Sequence, residues 1–64
     1  MKIQIKDIKK GQLLYDQYNN RYKAYDDAKV SESGYWHCEV TDDGDYAYFL
    51  MEGQDDVWDN ENLI

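Results

Sequence analysis

One cysteine and one histidine among 64 residues exclude most of the devices that staple a small domain. Cys38 has no partner for an internal disulfide. His37 and Cys38 together fall short of the four ligands a structural zinc site takes. The four glycines, Gly11, Gly34, Gly44 and Gly53, stand apart from one another, so no glycine-rich phosphate loop is present. The longest apolar run, Tyr46 to Met51, is far below the roughly 20 residues that span a bilayer. The N-terminus, Met1 to Asp7, alternates charge with apolar residues and lacks the apolar core of a signal peptide. With a lone unpaired thiol, these features predict a cytoplasmic protein without membrane contact.

Basic residues are missing from the whole second half. Lys2, Lys6, Lys9, Lys10, Arg21, Lys23 and Lys29 precede Ser31, and with four acids give that segment +3. From Ser31 to Ile64 there are ten acids and no Lys or Arg, a local −10 within a net charge of −7. Such asymmetry bears on partners and solubility rather than on fold.

Ten aromatic residues are present instead: seven Tyr, two Trp and one Phe. A chain this short buries about 60% of the surface its unfolded form exposes. Each packed aromatic covers about 150–250 Å², so the aromatics are expected to close the core.

The sequence predicts one domain over residues 1–64, mainly β, with four to five short strands. The clearest signal is Tyr35–Thr41, Asp42-Asp43-Gly44-Asp45, Tyr46–Met51. Asp-Gly between alternating runs marks a two-residue hairpin turn, because a type I′ turn needs φ > 0 at both centres. That turn opposes Val40 to Ala47, Cys38 to Phe49 and Trp36 to Met51, an apolar face. A slip by one would set Trp36 against Glu52 and swap the faces. A second hairpin turns at Asn19-Asn20, with Asp16 facing Lys23, Tyr15 facing Ala24 and Leu14 facing Tyr25. Ile3, Ile5 and Ile8 alternate loosely and read as a short strand followed by a turn over Asp7–Gly11, and Asp26–Gly34 reads as a loop with Val30 tucked in. Asp55–Asp59 reads as one helical turn, followed by a terminal strand at Leu63-Ile64. Nothing sustains a 3.6-residue period over three turns.

Closure removes exposed edges in a sheet this small, so a small barrel or a strongly curled antiparallel sheet is expected. Leu13-Leu14-Tyr15-Asp16-Gln17-Tyr18 resembles the Ala-Leu-Tyr-Asp-Tyr string that opens SH3 domains, and Tyr35-Trp36 resembles that family's aromatic pair. The resemblance implies an SH3-like barrel. The family's groove proline has no counterpart, since the chain contains no proline. The resemblance therefore implies a barrel more than polyproline binding.

Chemistry is sparse. His37 and Cys38 are neighbours on a strand and point to opposite faces, so they cannot form a nucleophile–base pair. Placing Gly44 sixth in a calcium loop starts it at Glu39 and ends it at Leu50, where a bidentate Glu is required. No catalytic, metal or cofactor residue is assigned. Tyr35, Tyr46 and Tyr48 could stack on bases, but the acids around them repel phosphate, and Lys2, Lys6, Lys9 and Lys10 make only a small patch.

The expected function is a non-enzymatic protein-interaction module whose partner has a basic surface. Its expected contact residues are Asp42, Asp43, Asp45, Tyr46, Tyr48, Glu52, Asp55, Asp56, Trp58 and Asp59, with Tyr35 as a further aromatic anchor. In size, charge and aromatic content the chain is similar to small acidic inhibitors from phages and mobile elements. That likeness implies nucleic-acid mimicry, with carboxylates occupying a basic channel in the host cytoplasm. The alternative is an SH3-like peptide-binding or accessory module in a larger assembly.

Overall fold

The computed structural model describes residues 1–59. Among the described residues seven strands form one antiparallel sheet: β1 (Lys2–Ile3), β2 (Leu13–Asp16), β3 (Arg21–Ala24), β4 (Lys29–Val30), β5 (Trp36–Thr41), β6 (Ala47–Met51) and β7 (Val57–Asp59). They run in the order β1-β7-β2-β3-β5. β6 pairs one edge of β5, while β3 and β4 pair the other in succession. The result is a strongly curled half-barrel, the curled antiparallel sheet expected of short strands that must limit their exposed edges, with more strands than the four or five expected. Strands β4 and β7 account for the excess: Lys29–Val30 is too short to show a period-2 pattern, and Val57–Asp59 lies where a helical turn was expected.

Three loops share one construction. In each, the first residue's N–H donates to the fifth residue's carbonyl, and the fourth residue's N–H donates back to the first residue's carbonyl. These are Asp16–Asn20, Ser31–Tyr35 and Asp42–Tyr46. The fourth residue adopts positive φ: Asn19 (64°), Gly34 (90°) and Asp45 (62°). The first residue's side-chain oxygen accepts the fifth residue's N–H, through Asp16 Oδ1, Ser31 Oγ and Asp42 Oδ1. This is a three-residue hairpin loop, a type I turn followed by a left-handed residue. Asx and Ser/Thr side chains favour it by capping the turn's free amides.

The loop corrects both expected registers. At the β5–β6 hairpin the left-handed residue is Asp45, and Gly44 has no positive φ. One extra loop residue slips the register by one: Cys38 faces Leu50, Val40 faces Tyr48 and Thr41 faces Ala47. Leu50 is therefore fully buried, while Ala47, Phe49 and Met51 turn outward. Trp36 lies level with Glu52, whose N–H donates to the Trp36 carbonyl, and Trp36 is only half-buried. The β2–β3 hairpin sets Leu14 against Tyr22 and Tyr15 against Arg21, not against Tyr25 and Ala24.

Other expectations also give way. The helical turn is at Ile5–Asp7, where Ile5 and Ile8 both enter the core. Val57–Asp59 is strand, because β1 and β2 flank it on both edges. Val30 lies in β4 and is exposed. The expected strand at Leu63-Ile64 lies outside the described residues.

The core is mostly aliphatic rather than aromatic. Ile5, Ile8, Leu14, Ala24, Cys38, Val40, Leu50 and Val57 are buried, and Tyr22 is the one aromatic among them. Fully burying a side chain such as Ile8, Leu14 or Leu50 contributes about 1.5–3 kcal/mol. Tyr18, Tyr25, Tyr35, Tyr46, Tyr48 and Phe49 are exposed.

Candidate interaction surface

The expected contact residues divide between two regions of the sheet. Asp42, Asp43, Asp45, Tyr46, Tyr48 and Glu52 belong to the β5–β6 hairpin and its flanks, whereas Trp58 and Asp59 belong to β7. Strands β2 and β3 separate β7 from β5 in the sheet order.

At the hairpin tip, Asp42 is half-buried and structural. Its Oδ1 accepts the N–H groups of Gly44 (2.9 Å) and Tyr46 (3.0 Å), which holds the turn. Asp43 and Asp45 are exposed, and their carboxylates make no hydrogen bond or ion pair with the described residues. Tyr46 is exposed, and Tyr48 stacks on Tyr22 with ring centroids 5.5 Å apart. Beyond β6, Glu52 is exposed, and its carboxylate makes no hydrogen bond or ion pair with the described residues. The Asp55 Oδ2 accepts the Met51 N–H at 3.0 Å. Asp56 pairs with Lys2 at 3.0 Å, and its N–H donates to Gln17 Oε1.

On β7, Trp58 is half-buried. It stacks on Tyr15 at 5.7 Å, and Lys2 Nζ lies 6.0 Å from its ring. Asp59 is half-buried opposite Leu14. These residues serve the joining of β1, β7 and β2. Tyr35 is exposed in the Ser31–Tyr35 loop.

The acidic half is not segregated in space. β3 brings Lys23 level with Thr41, and Arg21 lines a groove with Asp42 and Asp43. Lys10 and Lys23 line a second cleft with Asp45.

The sequence reading missed the outer face of the hairpin. Phe49 (52% exposed), Met51 (37%) and Ala47 stand on it beside His37, Glu39 and Thr41 of β5. The His37 and Phe49 rings lie 6.3 Å apart at a tilt. β6 is apolar at all five positions, so alternation could not assign its faces. Length of the loop was the only available signal, and it depends on Asp42 acting as a cap.

No protein-family model, curated protein or solved structure matches this chain. Among the described residues no helix is long and apolar enough to cross a membrane, and no three His, Cys, Asp or Glu side chains converge as metal ligands.

Among the described residues, four titratable groups are moved from their ordinary values by their surroundings. Asp16 is buried, which works to raise its pKa. The Asn20 N–H, the Asn20 side-chain amide, the Tyr22 hydroxyl and the Tyr18 N–H outweigh burial and hold the carboxyl below its ordinary range. Burial and the Asp16 carboxylate push Tyr22 up to about 12. Cys38 is 1% exposed, its thiol donates to the Asp26 carbonyl at 3.4 Å, and burial with nearby Asp26, Asp27 and Glu39 pushes it up to about 11. A thiol in that state is not a nucleophile at neutral pH. Asp26 sits below the usual carboxylate range because it accepts the Asp27 N–H and pairs with Lys29 at 3.3 Å.

Proposed function

We propose that this chain is a non-enzymatic protein-interaction module that binds a partner with a basic surface through the β5–β6 hairpin. The observation that carries this reading is the exposed apolar row of Ala47, Phe49 and Met51, bounded by the free carboxylates of Asp43, Asp45 and Glu52. A small domain short of core material that leaves its only Phe half-exposed has put it where a partner can bury it. Apolar burial then supplies affinity, and the carboxylates supply orientation and encounter rate. The free thiol of Cys38 fits a reducing compartment, so the cytoplasm is the proposed location.

In its sharper form the module is an inhibitor that covers the nucleic-acid-binding surface of its target. The net −7 and the free tip carboxylates support that form. Arg21 and Lys23 beside the tip weaken its field, so nucleic-acid mimicry would draw on the apolar row as well. A second reading, a peptide-binding or accessory module, is favoured by the groove between the two hairpin loops, floored by the Tyr22–Tyr48 stack.

The test is capture of partner on immobilised chain, comparing wild type with Phe49→Ser and with Asp43→Lys/Asp45→Lys. The hairpin reading predicts that both variants lose the captured protein while remaining folded. It also predicts release as salt rises from about 50 mM to about 500 mM. Capture that ignores salt and both variants but fails in Tyr48→Ala would overturn it in favour of the groove.

A further inference from the structure

The outward row coincides with a free sheet edge. In the β5–β6 pairing, the Glu52 N–H donates to Trp36 and the Tyr46 carbonyl accepts from Asp42. Tyr46, Tyr48, Leu50 and Glu52 therefore direct their backbone groups at β5, and Ala47, Phe49 and Met51 direct theirs away from it. Met51 is satisfied locally: its N–H donates to Asp55 Oδ2, and its carbonyl accepts the N–H groups of Gln54 and Asp55. The N–H and C=O groups of Ala47 and Phe49 have no partner among the described residues. Proteins commonly blunt such an edge with Lys, Pro or a bulge. Here the Asp55 cap closes one end and leaves the middle open.

We propose that the β6 edge binds an extended strand of a partner protein, by β-strand addition at Ala47 and Phe49. This inference rests on the interaction-module reading and specifies its mode. Backbone bonds to the two residues supply register, and Phe49 supplies an apolar contact on the outer face. Charge decides the occupant. Residues 42–56 hold six carboxylates and no basic residue. The free ones, Asp43 and Asp45 before β6 and Glu52 after it, flank the open edge. They select a strand with Lys or Arg at both ends, spaced roughly 20 Å apart at about 3.3 Å per residue. A second copy would bring two chains of −7 together, each with the same acidic flanks, and is disfavoured.

The test uses a synthetic seven-residue peptide, Lys-Val-Thr-Val-Thr-Val-Lys with blocked ends, against two forms of the full chain. One is wild type; the other carries an N-methyl group on the Phe49 backbone nitrogen and keeps the phenyl ring. Phe49 N–H faces away from β5, so the methyl group spares the fold, which circular dichroism checks. Strand addition predicts binding to wild type, with hydrogen exchange at the Ala47 and Phe49 amides slowed about tenfold or more. It predicts no binding to the N-methyl form, and none by a peptide whose central Val is Pro. Binding with those two exchange rates unchanged would overturn the proposal. So would failure of the peptide to bind wild type. If the partner captured by the module is lost in Phe49→Ser but retained by N-methyl-Phe49, strand addition fails while the hairpin reading survives; if neither change matters, both fail. A dimer of wild type at low salt, by sedimentation, would assign the edge to a second copy and also overturn the proposal.

Discussion

Asp16 and Asp42 form a natural controlled experiment. They occupy the same position in the same loop, and each Oδ1 accepts the N–H groups two and four residues on. Only Asp16 is buried, and only its Oδ2 is also used, by Asn20 Nδ2 (3.2 Å) and the Tyr22 hydroxyl (3.0 Å). Asp42→Ala removes a turn cap at the surface and should cost about 1 kcal/mol. Asp16→Ala removes the same cap, two further charge-assisted bonds and the partner of a buried hydroxyl. Net values of about 1.5–3 kcal/mol for bonds to charged groups and about 1–3 for an orphaned buried hydroxyl, which do not add fully, give about 3–5 kcal/mol. A domain of this length has about 3–10 kcal/mol in total, so Asp16→Ala should sit near the edge of unfolding at 25 °C. Tyr22→Phe alone should cost about 1–2 kcal/mol. The double variant should fall short of the sum by about 1–2 kcal/mol, because Phe leaves no hydroxyl to orphan. Urea unfolding followed through the half-buried Trp36 and Trp58 measures all four proteins. An Asp16→Ala cost no greater than that of Asp42→Ala, or strict additivity with Tyr22→Phe, would refute the reasoning.

Leu50→Ala should destabilise by about 2–5 kcal/mol, while Phe49→Ala one residue away should cost well under that and instead reduce partner capture; equal losses of stability would contradict the register. Folding lowers the Asp16 pKa, so its contribution is present above the unfolded carboxyl value of about 3.9 and lost as pH falls through and below it; Asp16→Asn should flatten that acid limb in urea midpoints against pH. Folding raises Tyr22 to about 12, so its contribution is full below about 10 and lost as pH rises from there toward 12; Tyr22→Phe should remove that alkaline loss. Native Cys38 should resist alkylation at pH 8, with a rate that follows urea unfolding rather than thiol pKa alone; rapid labelling of the folded chain would contradict its burial.

The location of both hairpins was legible in the sequence, and so was the curled β architecture. Turn residues mark where a chain reverses, but the number of residues in the loop depends on which one turns left-handed. At Asp42-Asp43-Gly44-Asp45 the Asp-Gly pair suggested two, whereas the Asp42 cap sets three and leaves the left-handed position to Asp45. That single residue moved Leu50 into the core and Phe49 out of it. Alternation could not arbitrate, because Ala47 to Met51 is apolar throughout. Cys38 and Val40 were correctly assigned inward because their strand alternates with His37, Glu39 and Thr41. Asp16 gave no sign of burial: nothing local distinguishes it from Asp42, and its partner Tyr22 is selected by cross-strand packing. Trp58 reads as an exposed anchor in an acidic segment, yet Tyr15 and Lys2 hold it within the sheet. The tip residues Asp43 and Asp45 lie where the sequence put them, but Lys10, Arg21 and Lys23 arrive beside them through strand pairing that sequence order conceals.

Amide hydrogen exchange across β6, residue by residue, tests the account most directly. The register and the free edge together predict protected amides at Tyr48 and Leu50 and fast exchange at Ala47 and Phe49 in the unbound chain. Protection at Ala47 and Phe49 with fast exchange at Tyr48 and Leu50 would reverse the strand, bury the proposed surface and contradict the account.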